Sequence, residues 1–188
     1  PFAIEGPPGM IDPLEIRLLG PFEVLAGGRP ANVSGSKRQG LLALLALRCG
    51  RVVGVDSLID ALWGDDLPAA PRNAVQHHVA RLRAALGQET IVASPDGYAL
   101  TDATVDALRF EELLREARSA LRAGDAGAAA ESVTIALELW RGPALHGLTD
   151  TAWFSAEARR RAARRVDALE EQCEVAPARG EHREIVAA

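Results

Sequence analysis

The spacing of apolar residues changes period several times along the chain. From Leu14 to Val33 (LEIRLLGPFEVLAGGRPANV) apolar positions alternate around Gly20-Pro21 and Gly27-Gly28, which predicts strands joined by turns. Then the period lengthens. Leu41, Leu42, Leu44, Leu45 and Leu47 are dense enough for a central core helix reaching Arg48, with Ser34 or Ser36 as its N-cap and Gly50 as its stop. Val52 and Val53 predict a short extended piece. SLIDALWG predicts a short helix capped by Asp56 or Ser57 and ended by Gly64. Beyond the loop DDLPAAP, Val75, Val79, Leu82 and Leu86 fall at i, i+4, i+7 and i+11, one apolar stripe on a helix closed by Gly87. Residues 90–101, TIVASPDGYALT, predict a hairpin whose Asp96-Gly97 pair favours a tight turn with positive φ.

Strands, three helices and a hairpin, in that order, make a winged helix: a helix-turn-helix followed by a β wing. After Asp102 the texture changes. Residues 106–123 and 126–140 are amphipathic, Ala/Leu-rich and separated by Gly124-Asp125, which predicts an antiparallel helix pair. RGPALHGLTD (141–150) predicts a loop. A longer helix is expected from about Ala152 to Glu174, with Phe154, Ala158, Ala162, Leu169 and Cys173 on one stripe. Pro177 ends it, and EHREIVAA predicts the start of another. The fold class is therefore an α+β winged helix followed by an all-α helical-repeat domain. Such repeats need several helix pairs to bury their faces, so the second domain is expected to be truncated. The expected division is a leader (1–13), a winged-helix DNA-binding domain (14–102) and a helical domain (103–188). The only methionine is Met10, and the Pro/Gly-rich stretch before it, whether native or foreign to the chain, predicts disorder.

Charge refines this picture. The 188 residues carry a net charge of -5. Residues 14–102 hold nine basic and nine acidic side chains, and residues 103–188 hold twelve and fifteen. A neutral domain can still bind phosphates if it gathers its cations on one helix. Leu67 to Gln88 does this: it contains Arg72, Arg81 and Arg83, two histidines and no acidic residue. Opposite its apolar stripe lie Asn73, Gln76, His77, Ala80 and Ala84. That face offers amides that can read base edges and alanines that permit close approach, with Arg81 and Arg83 on its flanks where phosphates would be. Asn73 and Gln76 are the better base readers, and the two arginines the better phosphate holders. The longest apolar run, Leu41 to Leu47, is far too short to span a bilayer, and no signal-peptide pattern opens the chain. Cys49 and Cys173 both fall in apolar helical patterns, which predicts reduced, buried thiols in a cytoplasmic protein.

Several other features have plain readings. Trp63 is expected to be core, packed under the next helix, and Tyr98 to pack beneath the wing. Lys37 and Arg38 sit at a helix start, where a phosphate contact and simple solvation are equally open. The run Arg159-Arg160-Arg161 with Arg164-Arg165 reads as a solvated face with helical charge pairs, an interdomain contact being the next alternative. Ser34-Gly35-Ser36-Lys37 fits S-x-x-K without its companion motifs, and His77-His78 lack the i, i+4 spacing of a metal pair. No nucleophile, base and oxyanion constellation supports an enzyme, and no cofactor or metal is expected.

The segments LLGPFEV, GSKRQGLLALLALRCGRVVGVDSLIDALWGDDLPAAPRNAVQHHVARLRAALG and SPDGYAL resemble the N-terminal half of the SARP/AfsR/EmbR-type bacterial transcriptional activators. EARSALRAGD and LELWRGPAL extend the resemblance, so that it spans roughly residues 14 to 175. It implies an OmpR/PhoB-type winged helix, with N-terminal antiparallel strands and a C-terminal wing hairpin, joined to a tetratricopeptide-like bacterial transcriptional activation domain. It also implies roles. Arg81 and Arg83 match the recognition-helix arginines. Arg72, Asn73, Gln76, His77 and His78 match positions facing the groove or its walls. Gly97 and Tyr98 match the wing, which reaches with Ser94 into the adjacent minor groove. The loop with Asp65, Asp66 and Leu67 matches the segment that contacts RNA polymerase. The implied partners are double-stranded DNA, as promoter direct repeats overlapping the -35 region, RNA polymerase and a neighbouring protomer, with no membrane. The implied location is the cytoplasm, at the nucleoid, and the regulated genes those of antibiotic or other secondary-metabolite synthesis. His77-His78 departs from many relatives and leaves base preference open. The rival reading is a protein-interaction module that no longer binds DNA and docks a partner on its helical repeat.

Overall fold

A computed structural model describes residues 14–148 and 151–175, with backbone only at 174 and 175. The leader and the helix expected in EHREIVAA lie outside the described residues.

The first sheet is built from β1 (Leu14–Arg17), β2 (Glu23–Ala26) and β3 (Arg29–Pro30), antiparallel neighbours, with a five-residue connection between β1 and β2 and a tight turn between β2 and β3. Gly27 and Gly28 take φ of 57° and 75°, which suits the primed turns of hairpins. A fourth strand, β7 (Ala103–Val105), was not foreseen. It pairs in parallel with β1 at the edge opposite β2, so the sheet order is β3-β2-β1-β7.

α1 (Ser36–Ala46) is the central core helix, with every residue from Gly40 to Ala46 buried. No serine caps it. Gly35, at φ 93°, is the N-cap, and its carbonyl accepts from the Arg38 and Gln39 amides, both at 3.0 Å. β4 (Val53–Gly54) runs straight into α2 (Val55–Trp63), which leaves no room for Asp56 or Ser57 as a cap. Asp56 lies in the first turn instead, where its charge favours the helix dipole. α3 spans Pro71–Leu86, with proline at its first position and Gly87 closing it. The hairpin is β5 (Ile91–Ser94) and β6 (Gly97–Leu100), and β6 also pairs with β4.

The hairpin turn sits one residue earlier than expected, at Pro95-Asp96. A primed turn centred on Asp96-Gly97 would need Pro95 to pair opposite Tyr98, and proline has no N–H to give to that ladder. Ser-Pro-Asp-Gly instead suits a turn with proline second and glycine fourth. Gly97 is required for a different reason. A Cβ there would stand 1.9 Å from the Val53 carbonyl oxygen.

α4 (Asp106–Arg122) and α5 (Ala126–Glu138) form the expected antiparallel pair, and Asp125 caps α5 by accepting from the Ala128 amide at 2.9 Å. α6 (Ala152–Val175) packs on both. Its inward face differs from the expected stripe: Phe154, Glu157, Arg161 and Ala168 are buried, whereas Ala162, Leu169 and Cys173 are exposed. The arginine run is likewise not simply solvated. Arg161 is 4% exposed, donates to Glu157 at 2.8 Å and lies 3.5 Å from Glu111, while Arg164 reaches Glu111 at 3.1 Å. Arg165 lies over the Trp140 ring at 5.1 Å. Buried cations are tolerated here because carboxylates on α4 and α6 pair with them. Cys173 is thus exposed, and Cys49 half-buried.

The helical part is clasped to the first sheet. Buried Asp106 accepts from the Leu18 and Leu19 amides at 2.7 and 2.9 Å, and from the Ala107 amide at 2.7 Å. Across the same seam the Arg141 amide donates to the Leu19 carbonyl at 2.7 Å, and the Leu145 amide to the Leu18 carbonyl at 2.8 Å. Thr151 adds a hydroxyl bond to the Ala61 carbonyl, at 2.7 Å, between α6 and α2. Among the described residues no helix is long and apolar enough to cross a membrane.

Candidate nucleic-acid interface

α3 is held by its apolar stripe. Val75, Val79 and Leu82 are at most 2% exposed, and they pack against α1 and α2. Burying three such side chains contributes several kcal/mol. It also fixes the helix in rotation. Asn73, Gln76, His77, Ala80, Arg81 and Ala84 consequently all face solvent. The two amides, a histidine and an arginine lie on one accessible surface, and α3 itself contributes no carboxylate to it.

The remaining candidate residues surround this surface in distinct states. Arg72 is exposed and pairs with Asp56 at 2.7 Å, an exposed contact of small worth that a phosphate can replace. Arg83 is half-buried, and its Nε donates to the Ile91 carbonyl at 2.9 Å, which ties α3 to the hairpin. Its terminal nitrogens remain as donors. At the wing, Ser94 is half-buried, with its hydroxyl accepting from the Asp96 amide at 3.4 Å. Gly97 is buried against β4, and Tyr98 is half-buried opposite Val53 and Ala93. Asp65, Asp66 and Leu67 are all exposed in the α2–α3 loop, Leu67 with 55% of its surface open.

A cluster at the start of α1 was only partly visible in the sequence. Lys37 donates through Nζ to the Leu62 carbonyl and lies 6.0 Å from the centre of the Trp63 ring. Trp63 is half-buried and stacks on His78, with ring centres 6.1 Å apart and planes at 23°. It therefore packs against α3 as expected, but supports a groove-wall residue in doing so. His78 is half-buried rather than presented like His77. Its Nδ1 and the Arg38 Nε are both buried and find no hydrogen-bond partner among the described residues.

Burial pushes the His78 imidazole below its ordinary range, and the charges of Arg38 and His77 push it the same way. The folded state thus binds a proton at His78 less readily than the unfolded chain does. Its contribution to stability is complete above the unfolded imidazole pKa of about 6.5 and is lost as pH falls below it. Thermal unfolding followed from about pH 7.5 to 5 should show a decline that His78→Gln reduces. An identical pH profile in the variant would assign the decline to other groups.

Two family models match the chain. One, described as "Transcriptional regulatory protein, C terminal", covers residues 31–100, and the other, "Bacterial transcriptional activator domain", covers residues 105–188. The regulatory protein AfsR of Streptomyces griseus is 34% identical over 140 residues, which is 73% of this chain and 14% of that protein. The transcriptional regulatory protein EmbR of Mycobacterium tuberculosis is 35% identical over 145 residues, 73% of this chain and 37% of EmbR. The transcriptional regulator RedD of Streptomyces coelicolor is 34% identical over 145 residues, 70% of this chain and 40% of RedD. A solved structure of Mycobacterium tuberculosis EmbR in complex with a low-affinity phosphopeptide superposes with a TM-score of 0.80 at 30% identity, covering 87% of this chain and 45% of that one. The chain spans less than half the length of these relatives. With an OmpR/PhoB-type winged helix, an all-α activator domain and relatives that are transcriptional regulators rather than enzymes, the chain belongs to the SARP/AfsR/EmbR-type family of bacterial transcriptional activators.

Proposed function

We propose that this chain is the DNA-binding and activating portion of a sequence-specific transcriptional activator. In this reading residues 14–102 dock on DNA and residues 103–188 form the activation domain. α3 lies in a major groove, where Asn73 and Gln76 read base edges, and His77 faces the groove. Arg81 holds a phosphate, as do Arg72 once released from Asp56 and the terminal nitrogens of Arg83. Lys37, Arg38 and His78 form the groove wall. The wing at Ser94, Gly97 and Tyr98 reaches the flanking minor groove. Protomers sit side by side on direct repeats near the -35 region, and the Asp65-Asp66-Leu67 loop meets RNA polymerase. The work is done in the cytoplasm, at the nucleoid, on genes of the secondary-metabolite class that the family resemblance suggests.

The observation that carries this reading is the exposed face of α3: amides, histidine and arginine together on a helix without acidic residues, in a chain of net charge -5. Two substitutions on that face separate its roles. Arg81→Ala should weaken binding to all duplexes by a similar factor and flatten the salt dependence by about one counterion. Gln76→Ala should change which base is preferred at one position, by roughly 1–3 kcal/mol. Competition binding across single-base variants of a selected site measures both. An unchanged preference in Gln76→Ala removes that residue as a reader.

A further inference from the structure

A second cationic site contains no residue of α3. Where the end of α1, β4 and the start of α2 meet the first turn of α6, the surface forms an open pocket of about 340 Å³. Arg48 and Arg51 line it, together with the Ser57 hydroxyl, the Trp153 ring and an apolar floor of Leu44 and Val53. No carboxylate lines it. Neither arginine makes an ion pair or a side-chain hydrogen bond among the described residues, so both guanidiniums keep their donors for a ligand. The acidic residue nearest the pocket in sequence, Asp56, is engaged by Arg72. The nine-residue α2 begins at this wall without a side-chain cap, so the positive end of its dipole adds to the two guanidiniums.

Two guanidiniums present forks of N–H donors that match the oxygens of a phosphoryl group. The hydroxyl supplies a further donor, and the indole supplies a flat apolar wall. We propose that this pocket binds a phosphate-type anion, held by Arg48 and Arg51 at the seam between the winged helix and α6. The occupant touches α1 and α2 on one side and Trp153 on the other, so it stabilises the contact between the two parts of the chain. A phosphoryl group reaches such a site either from a free phosphorylated small molecule or from the DNA backbone.

The test uses the full chain and its Arg48→Gln/Arg51→Gln variant. Both side chains are exposed, so the variant should unfold at the native temperature when no ligand is present. In one arm sodium pyrophosphate is titrated at constant ionic strength. Binding should raise the unfolding midpoint of the native chain saturably, by about 3–6 °C at ten times Kd, and leave the variant unmoved. In the other arm duplex affinity is measured against salt. If the backbone is the source, pyrophosphate has no effect, while the variant binds duplex more weakly, with a log–log salt slope shallower by about 1, since the two arginines share one phosphate. The duplex arm rests on the DNA-binding reading and the pyrophosphate arm does not, so a chain that binds no DNA is judged on pyrophosphate alone. A variant equal to the native chain in both arms overturns the site.

Discussion

Asp106→Ala should lower stability by about 3–5 kcal/mol, or about 10 °C in unfolding midpoint for a chain of this size. One buried carboxylate satisfies three amides, those of Leu18, Leu19 and Ala107, at 2.7–2.9 Å. Alanine would leave all three donors without an acceptor where water does not reach. Arg141, 3.8 Å from the same carboxylate, would lose that contact while keeping Glu23 at 2.9 Å. The damage should also be local. Leu18 and Leu19 continue β1, and Asp106 opens α4, so the substitution loosens the seam between the first sheet and the helical part. Hydrogen exchange should therefore rise first at Leu18, Leu19 and the start of α4. Asp106→Asn, which retains one carbonyl acceptor, should fall between the two. A loss below about 1 kcal/mol for Asp106→Ala would mean that the amides find other partners.

Gly97→Ala should cost about 2–4 kcal/mol, concentrated in the hairpin. The added Cβ would meet the Val53 carbonyl oxygen at 1.9 Å, the Val53 carbonyl carbon at 2.7 Å and the Gly54 Cα at 2.9 Å. All three are backbone atoms, so no side chain can rotate out of the way. The pairing of β4 with β6 must open, and with it the support of the proposed wing. Gly28→Ala is the matched control: Gly28 also has positive φ, at 75°, but its added Cβ would meet nothing within 4 Å. Its cost should stay near 1 kcal/mol, from backbone strain alone. Equal losses at the two positions would mean that β4 shifts freely and that close approach is not what Gly97 provides.

The elements that a single apolar period defines were legible in the sequence. The spacing of Val75, Val79 and Leu82 fixed both the existence of α3 and its rotation, and Asn73, Gln76, His77, Ala80 and Ala84 are exposed where that rotation puts them. The α4–α5 pair followed from the same logic, with Asp125 at the break. What was illegible depends on partners distant in sequence. β7 is three residues long, and only its parallel pairing with β1, which Asp106 secures through Leu18 and Leu19, makes it a strand. The inward face of α6 contradicts its apolar pattern because Glu157 and Arg161 neutralise each other in the interior, with Glu111 of α4 as a third member. The family resemblance gives His78, like His77, a place facing the groove or its walls. His78 is instead drawn against Trp63, a contact that needs α2 and α3 already packed. The hairpin turn moved by one residue because Pro95 has no N–H with which to pair opposite Tyr98, as a turn centred on Asp-Gly would require.

DNA reading by the exposed face of α3 is the core of the proposed function. It is tested most directly by selecting bound sequences from a random duplex library with the full chain at two salt concentrations. If α3 reads DNA, a short motif should be enriched, repeated in one direction at a fixed spacing, with affinity falling steeply as salt rises. Failure to enrich any motif even at low salt would contradict that reading and favour a protein-docking role for the helical part.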